Sequence, residues 1–235
     1  MAHQMVFKRY ELKYLISFTQ KETLLQKIAP YMEADPYGNS TIRNIYFDTD
    51  DYRLIRRSIE KPCYKEKIRI RSYALAKGED TVFVELKKKY EKIVYKRRIA
   101  PPYDMAMAWI CGESDKPCDT QIAREIDAFL HFYPPLHPSV FLSYEREAYY
   151  GKEDKNFRVT FDHNISARTQ NVSLSGELYG RPLLMENCCL MELKCAGGMP
   201  LFMAQLLSQE KIYKTSFSKY RTAYQREIFP VFMIK

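Results

Sequence analysis

The segment KIRIRSY, residues 67–73, decides the fold, because a basic side chain occupies every second position of its first five residues. A period of two is typical of a β-strand, whose successive side chains point to opposite faces of a sheet. Lys67, Arg69 and Arg71 therefore share one face, and the two isoleucines between them form the other. The isoleucine face needs cover from other elements, whereas the basic face needs water or anions.

The same alternation of charged with apolar side chains recurs in four further segments, at residues 7–16, 81–89, 156–165 and 188–194. One such strand alone fits the solvated face of an open sheet, with cross-strand ion pairs that contribute at most about 1 kcal/mol each. Recurrence along the chain instead favours a closed sheet with the charged faces inside and helices over the apolar faces. A tunnel lined with lysine and arginine is a site for a polyanion.

The fold class that follows is α+β. Helices are predicted at residues 19–32, 50–60, 104–111, 119–132, 200–210 and 219–228, the first with a capping box formed by Thr19 and Glu22. About eight strands suffice to close a barrel, and strands are predicted at residues 7–16, 41–47, 64–74, 81–90, 92–100, 140–149, 156–165 and 184–195. We expect a single domain over residues 1–235, with a helical insertion at about 103–133.

Composition limits the functional classes. The formal net charge is +8 over 235 residues, which favours phosphate-rich partners. The cysteines include no Cys-x-x-Cys pair, which favours reduced thiols. The chain opens without an apolar signal core, and no run approaches the roughly 20 apolar residues of a membrane span, so we expect a cytoplasmic protein. The sequence has neither a glycine-rich phosphate loop nor a Ser-x-Gly elbow.

The charged faces carry the predicted chemistry. Basic groups outnumber acids on them, and a buried unpaired charge costs several kcal/mol, so the excess implies water, anions or both. Arginine binds two phosphate oxygens with its planar fork, and lysine acts as a compact point charge. Carboxylates do not bind phosphate directly but hold Mg²⁺ or Mn²⁺, which bridge carboxylate and phosphate oxygens. The sequence therefore predicts a metal-assisted triphosphate or polyphosphate site.

Over about residues 7–224 the chain resembles the polyphosphate polymerase (VTC) domain of the triphosphate tunnel metalloenzyme, or CYTH-like, superfamily. The resemblance lies in motifs that occur in the same order: RYELKY (9–14), IYFDTDDYRL (45–54), KIRIRSY (67–73), VFVELKKK (82–89), YEREA (144–148), RVTFD (158–162), LMELKC (190–195) and FSKY (217–220). It implies a closed antiparallel β-barrel, a triphosphate or growing polyphosphate chain inside it, and dependence on a divalent metal, Mn²⁺ or Mg²⁺.

The resemblance also implies the residues of the site. Phosphate-binding positions fall on Lys13, Arg69, Arg71, Lys87, Arg146, Arg158 and Lys219. Further substrate-binding candidates are Tyr144, Ser218, Lys96 and Lys194, and the metal-binding carboxylate is Glu192, with help from Glu11. The chain departs from the superfamily at Arg9, which replaces the first glutamate of Glu-x-Glu-x-Lys. It departs again at Ser216, where a basic residue is expected and Lys211 or Lys214 would have to substitute.

We expect a polyphosphate polymerase that transfers the γ-phosphate of ATP to a growing polyphosphate chain and releases ADP. The loss of the first glutamate favours this reaction, because fewer carboxylates leave fewer means to activate water. The alternatives are a triphosphate or tripolyphosphate hydrolase on the same scaffold, and a non-catalytic polyphosphate-binding module. We expect ATP and polyphosphate as ligands and no nucleic acid; the oligomeric state and a membrane-protein partner stay open.

Overall fold

A single antiparallel sheet organises the chain. The computed structural model describes residues 10–36, 38–91, 93–133 and 135–232, so residues 7–9 of the first predicted strand, with Arg9, lie outside the described residues. The strands are β1 (Tyr10–Ser17), β2 (Met32–Ala34), β3 (Ser40–Asp48), β4 (Tyr64–Ser72), β5 (Phe83–Tyr90), β6 (Ile93–Ile99), β7 (His137–Gly151), β8 (Arg158–Arg168), β9 (Arg181–Pro182), β10 (Cys188–Cys195) and β11 (Lys214–Thr215). Their order is β11-β1-β10-β8-β7-β3-β4-β5-β6, with β2 beside β7 and β9 beside β8.

The predicted closure of the sheet into a barrel is wrong. Across the described residues the strand order has two ends, β11 and β6, and these strands do not pair. Side chains span the gap instead. Lys87 of β5 lies 2.9 Å from a carboxylate oxygen of Glu11 on β1, and these strands are not neighbours in the sheet. Alternation of side chains is the same in a closed barrel and in a curved open sheet, and for this reason the sequence did not distinguish them.

The helices are α1 (Phe18–Ile28), α2 (Arg53–Ile59), α3 (Tyr103–Ile110), α4 (Gln121–Phe132), α5 (Leu201–Gln209) and α6 (Lys219–Ala223), which continues through a π-helical turn (Tyr224–Ile228) into α7 (Phe229–Phe232). The predicted capping box of α1 is wrong, because the helix begins earlier. Ser17 Oγ accepts from the Gln20 amide, and the Gln20 side chain accepts from the Ser17 amide, both at 3.1 Å. Within the described residues, no helix is long and apolar enough to span a membrane.

Two helical layers cover the apolar faces of the strands. In the first, Trp109 of α3 and Phe129 of α4 join a buried cluster with Ile68 and Ile70 of β4. The predicted insertion therefore packs directly on the sheet. In the second layer, α1 and α5 pack against β1, β8 and β10. With both apolar faces covered from outside, the charged faces of the same strands point to the concave side.

A third apolar cluster fills part of the concave side. Tyr220 of α6 and Tyr224 of the π-helical turn pack there with Ile42, Tyr46 and Leu190. The rings of Tyr220 and Tyr46 stack with their centroids 4.5 Å apart. This packing fixes the start of α6, and therefore Ser218 and Lys219, against the charged faces.

A buried carboxylate joins α6 to the sheet. Asp48, at the end of β3, accepts the backbone amides of Leu54 and Ile55 at 2.8 and 3.0 Å and thereby caps α2. The Tyr220 hydroxyl donates to the same carboxylate at 2.7 Å. Burial raises the pKa of Asp48 above its ordinary value, although these hydrogen bonds oppose the shift.

The substitution Tyr220→Phe should destabilise the protein by about 1–3 kcal/mol, because it removes a donor from a buried carboxylate. Tyr213→Phe, at a side chain that is 78% exposed, should change the free energy of unfolding by less than about 0.5 kcal/mol. Urea unfolding of both variants measures the difference. Equal midpoints for the two variants would show that the Tyr220–Asp48 bond does not hold α6 in place.

Candidate active site

The candidate site is the charged concave face of β1, β3, β4, β5, β6, β7, β8 and β10, to which α6 adds Lys219. The strands contribute alternate side chains to it, and most of the intervening apolar side chains lie in the clusters beneath the helices. The antiparallel register sets basic groups beside carboxylates: Lys13 lies opposite Glu192, Arg69 opposite Glu85, and Arg146 opposite Asp162. The pairing of the strands therefore brings the residues of the site together, although they are distant in sequence.

Glu85 is the centre of the first group of charges, which we call the Glu85 cluster. Its carboxylate is 1% exposed and lies 2.7 Å from both Arg69 and Lys96, with Arg98 also in contact and Arg71 at 4.0 Å. Burial alone would raise the pKa of Glu85, but these cations hold it well below its ordinary value. One carboxylate cannot neutralise four cations, so the cluster keeps a positive excess.

Neutral oxygen atoms orient two of these cations. Arg69 donates to the Tyr46 hydroxyl at 2.8 Å. Arg71 donates to Asn44 Oδ1 at 3.0 Å and to the Tyr144 hydroxyl at 2.9 Å. The acceptors of Arg71 carry no charge, so they fix the plane of its guanidinium group and leave its charge free for a ligand, whereas Arg69 also donates twice to the Glu85 carboxylate. The arrangement supports the predicted pairing of the two arginines on one strand face.

Asp162 and Glu192 are the centre of the second group, the Asp162–Glu192 cluster. Arg146 holds Asp162 with two hydrogen bonds, at 2.5 and 2.7 Å, and Lys219 contacts the same carboxylate. Glu192 is shared by cations from three strands and one helix: Lys13 at 3.1 Å, Arg146 at 3.5 Å, Lys219 at 3.6 Å and Lys194 at 3.7 Å. Burial would raise the pKa of Glu192, but Lys13 and its neighbours hold it well below its ordinary value.

Tyr144 connects the two clusters. Its hydroxyl accepts from Arg71 of the first. Its ring lies beneath Lys219 and Arg146 of the second, at 4.4 and 5.2 Å from the ring centroid. The prediction that Tyr144 faces the site agrees with this position, since a ligand that spans both clusters must cross it.

Glu11 and Glu192 are the two carboxylates of this face that could hold a divalent metal. Glu11 lies diagonally from Glu192 across the β1–β10 pair, and the charge of Glu192 opposes the ionisation of Glu11. The Lys87 ammonium nevertheless lowers the pKa of Glu11 to about 2. No group of three histidine, cysteine, aspartate or glutamate side chains converges within the described ranges. Two carboxylates suit a hard cation that takes its remaining ligands from phosphate oxygens and water, whereas they cannot form an all-protein cage.

The other predicted residues lie around these clusters. Lys96 belongs to the Glu85 cluster and lies opposite Lys87 in the β5–β6 register. Arg158 lies at the margin, paired with Asp35 at 3.1 Å and over the ring of Tyr150. Ser218 caps α6 by accepting from the Arg221 amide at 3.5 Å. Neither Lys211 nor Lys214 forms an ion pair with Glu85, Asp162 or Glu192 in the described structure.

The list of site residues implied by the resemblance omitted four charged residues that the structure brings to the same face: Glu85, Asp162, Arg98 and Lys67. The alternation of their strands predicts that Lys67, Glu85 and Asp162 lie on the charged faces, and the structure shows that Glu85 and Asp162 hold most of the cations. Asn44 and Tyr46 carried no such signal, because a neutral side chain in a strand does not reveal that it orients an arginine on the next strand.

Two solved structures share this fold. The chain aligns with a putative adenylate cyclase from Bacillus halodurans at 16% identity and a TM-score of 0.58, over 96% of this chain and 100% of the other. It aligns with a putative adenylyl cyclase from Hippeastrum, described as having a dominant triphosphatase activity, at 14% identity and a TM-score of 0.52, over 96% and 99%. No curated protein sequence matches the chain.

At 16% and 14% identity these structures show the shared fold alone. A family model described as the VTC domain matches residues 8–228, so the chain belongs to the VTC domain family. The resemblance drawn from the short motifs is confirmed. Triphosphate tunnel metalloenzymes, the superfamily named in that resemblance, generally use divalent metal ions.

The substitution Glu85→Gln should destabilise the protein by about 3–5 kcal/mol, because it leaves buried cations without their carboxylate. Tripolyphosphate, an anion that can replace the lost charge, should raise the unfolding midpoint of this variant more than that of the wild type. Glu125→Gln provides the control, since Glu125 pairs with Arg97 outside both clusters. Equal effects of tripolyphosphate on Glu85→Gln and the wild type would contradict the assigned role of Glu85.

The protonation of Glu11 should lower the free energy of unfolding at acidic pH. A carboxyl whose folded pKa is depressed stabilises the fold above its unfolded pKa, and this stabilisation is lost as the pH falls through the folded pKa. The ordinary and folded values are 4.5 and about 2, so the contribution should decline across that window, and Glu11→Gln should flatten the decline. Urea unfolding at pH 5, 4 and 3 measures the slope, with Glu210→Gln as a control in the ion pair with Lys27. A wild-type slope in Glu11→Gln would refute the Lys87–Glu11 contact.

Proposed function

We propose that the protein is a metal-dependent polyphosphate polymerase, which transfers the γ-phosphate of ATP to a growing polyphosphate chain and releases ADP. The observation that carries the proposal is the excess of oriented cations that runs from the Glu85 cluster across Tyr144 to the Asp162–Glu192 cluster. Two clusters of cations joined through Tyr144 suit a phosphate chain better than a single phosphate group. Membership of the VTC domain family supports the same substrate class.

The clusters suggest separate roles. Arg71, oriented by neutral acceptors, and Arg69, paired with Glu85, would bind the triphosphate of ATP through the N–H groups that these contacts leave free. Arg146, Lys219 and Lys13 would bind phosphates at the other end of the same surface, close to Glu192. Lys87, Lys96 and Lys194 would add charge along it, with Ser218 at its side, and Arg158 would attract the anion at the margin.

Glu192 and Glu11 would hold the metal, Mn²⁺ or Mg²⁺, on the β1–β10 side of the surface. Such an ion supplies Lewis-acid stabilisation of the charge on phosphoryl oxygens. Lys13 and Lys219 share Glu192 and would keep its carboxylate oriented. The two carboxylates are ionised at neutral pH, as metal ligands must be, because the pKa values of both are lowered.

In the reaction, a terminal oxygen of the acceptor chain attacks the γ-phosphorus in line. The bond to the bridging oxygen breaks, and ADP leaves with the electron pair. Phosphoryl transfer through a loose transition state needs positioning and charge stabilisation and no protein nucleophile. The oriented guanidinium groups of Arg69 and Arg71 provide both without reorganising at the moment of reaction.

A hydrolase on the same scaffold is the second candidate, and the triphosphatase activity described for the Hippeastrum protein favours it. The charge arrangement argues against it in this chain. Glu85, Asp162, Glu192 and Glu11 all have pKa values lowered by neighbouring cations. A carboxylate with a low pKa is a poor base for removing a proton from water. An ionised phosphate acceptor needs no such base.

Incubation with ATP and Mn²⁺ or Mg²⁺ should give polyphosphate and ADP in the wild type, and chelation of the metal should stop both. Glu192→Gln should abolish metal-dependent turnover while the fold persists. Arg71→Lys should lower turnover by about 10²-fold, as expected when one oriented donor is lost. Gel resolution of polymer, with separate assays of ADP and free phosphate, measures all three products.

Arg97→Lys is the matched control, because Arg97 pairs with Glu125 outside the two clusters and should keep wild-type turnover. Release of ADP and free phosphate without polymer would establish the hydrolase instead. Binding of tripolyphosphate without turnover under either metal would leave a non-catalytic polyphosphate-binding module.

A further inference from the structure

Lys67 lies on the concave face, and in the described structure its ammonium group contacts a hydroxyl and an aromatic ring but no carboxylate. It precedes Arg69 on β4, and its ammonium donates to Ser218 Oγ at 3.4 Å. It also lies 5.6 Å from the centre of the Tyr220 ring. Among the described residues, no carboxylate lies within ion-pair distance of Lys67. A hydroxyl and a ring face hold the side chain in place but do not neutralise it.

The groups that face Lys67 from the packed elements are mainly cationic. Lys87 lies opposite Lys67 in the β4–β5 register, and the charges of Lys65, Lys13 and Arg221 also oppose the ionisation of Lys67. The carboxylates that contact Lys87 and Tyr220 are already engaged. Glu11 pairs with Lys87, and Asp48 accepts from Tyr220 and from two amides of α2. A group of like charges without a counterion points to an anion that arrives from outside.

We propose that Lys67, with Lys87 and the Ser218 hydroxyl, binds the phosphate next beyond those held at Arg69 and Arg71, and that Lys67 takes up a proton from solvent as this phosphate binds. The inference rests on the proposed function, because it places a further phosphate of the same chain. Alternate residues of a strand lie about 6–7 Å apart, so a phosphate chain that passes Arg69 along β4 reaches Lys67 next.

The direction of the proton follows from the charges. Burial, followed by Lys65, Lys13, Lys87 and Arg221, lowers the pKa of Lys67 to about 7 in the free protein. A bound phosphate favours the ammonium form and raises this pKa again. At pH 7 Lys67 should therefore take up about half a proton on binding, because a group at its pKa is half protonated. The uptake should increase at pH 8 and vanish at pH 5, where Lys67 is already charged.

Lys96 and Lys194 also have pKa values lowered to about 7, and each contacts a carboxylate, Glu85 or Glu192. Their contributions to proton uptake must be separated from that of Lys67. Lys67→Arg does this, because guanidinium stays charged at every pH of the experiment. The arginine is positively charged in both the free and the bound protein, so the variant removes the titration of residue 67.

The test is isothermal titration calorimetry of tripolyphosphate into the protein with EDTA present, at pH 8, in two buffers of different ionisation enthalpy. Lys67→Arg should bind tripolyphosphate but take up fewer protons than the wild type. Lys67→Met should bind about tenfold more weakly, as expected for the loss of an interaction equal to one pKa unit. Lys155→Arg, at an exposed pair with Glu33, should match the wild type in both respects.

NMR of ¹³Cε-labelled lysine isolates the same event, with the Lys67 signal assigned by its loss in Lys67→Arg. The signal should titrate near pH 7 in the free protein and above pH 8 with tripolyphosphate bound. An unchanged titration in the complex, or equal proton uptake by Lys67→Arg and the wild type, would overturn the inference even if the protein makes polyphosphate. Proton uptake through Lys67 without polymer formation would support it and count against the polymerase alone.

Discussion

The structure depends on the confinement of many cations around a few buried carboxylates. Glu85 and Asp162 are 1% and 0% exposed, and each holds more than one cation from neighbouring elements. Removing ions from water costs several kcal/mol each, and the cost is recovered only where partners and hydrogen bonds are good. The carboxylates recover part of it. The remaining cations repel one another, and a bound polyanion would reduce this repulsion. The same excess of positive charge therefore lowers the stability of the free protein and favours the binding of an anionic ligand.

The apolar layers make this confinement feasible. Helices α3 and α4 on one side, and α1 and α5 on the other, cover the isoleucine and phenylalanine faces of the strands. The strands are thereby held with their charged faces towards one another, although the sheet is not closed by hydrogen bonds. Helix α6 adds Lys219 to the concave side because Tyr220 is anchored to Asp48. The position of Lys219 therefore depends on the packing of Tyr220 beside the charged face.

The alternation in KIRIRSY predicted which side chains share a face, because the two-residue period of a strand is set by backbone geometry alone. The proximity of Lys13, Arg146 and Glu192 was not contained in this period, because it arises from the pairing of strands that are distant in sequence. Reasoning from the sequence did not determine closure, which depends on curvature accumulated over the whole sheet. It also misplaced the start of α1, where Ser17 and Gln20 form the capping box instead of Thr19 and Glu22. The orienting roles of Asn44 and Tyr46 depend on contacts between strands distant in sequence, which no local pattern contains.

The most direct test of the account is a crystal structure of the protein with tripolyphosphate and Mn²⁺, with the metal located by anomalous scattering. The account predicts phosphorus atoms along the concave face, between Arg69 and Arg71 at one end and Arg146 and Lys219 at the other. It predicts the manganese peak beside Glu192. Phosphate density on the helix-covered face, or a manganese peak away from both Glu192 and Glu11, would contradict it.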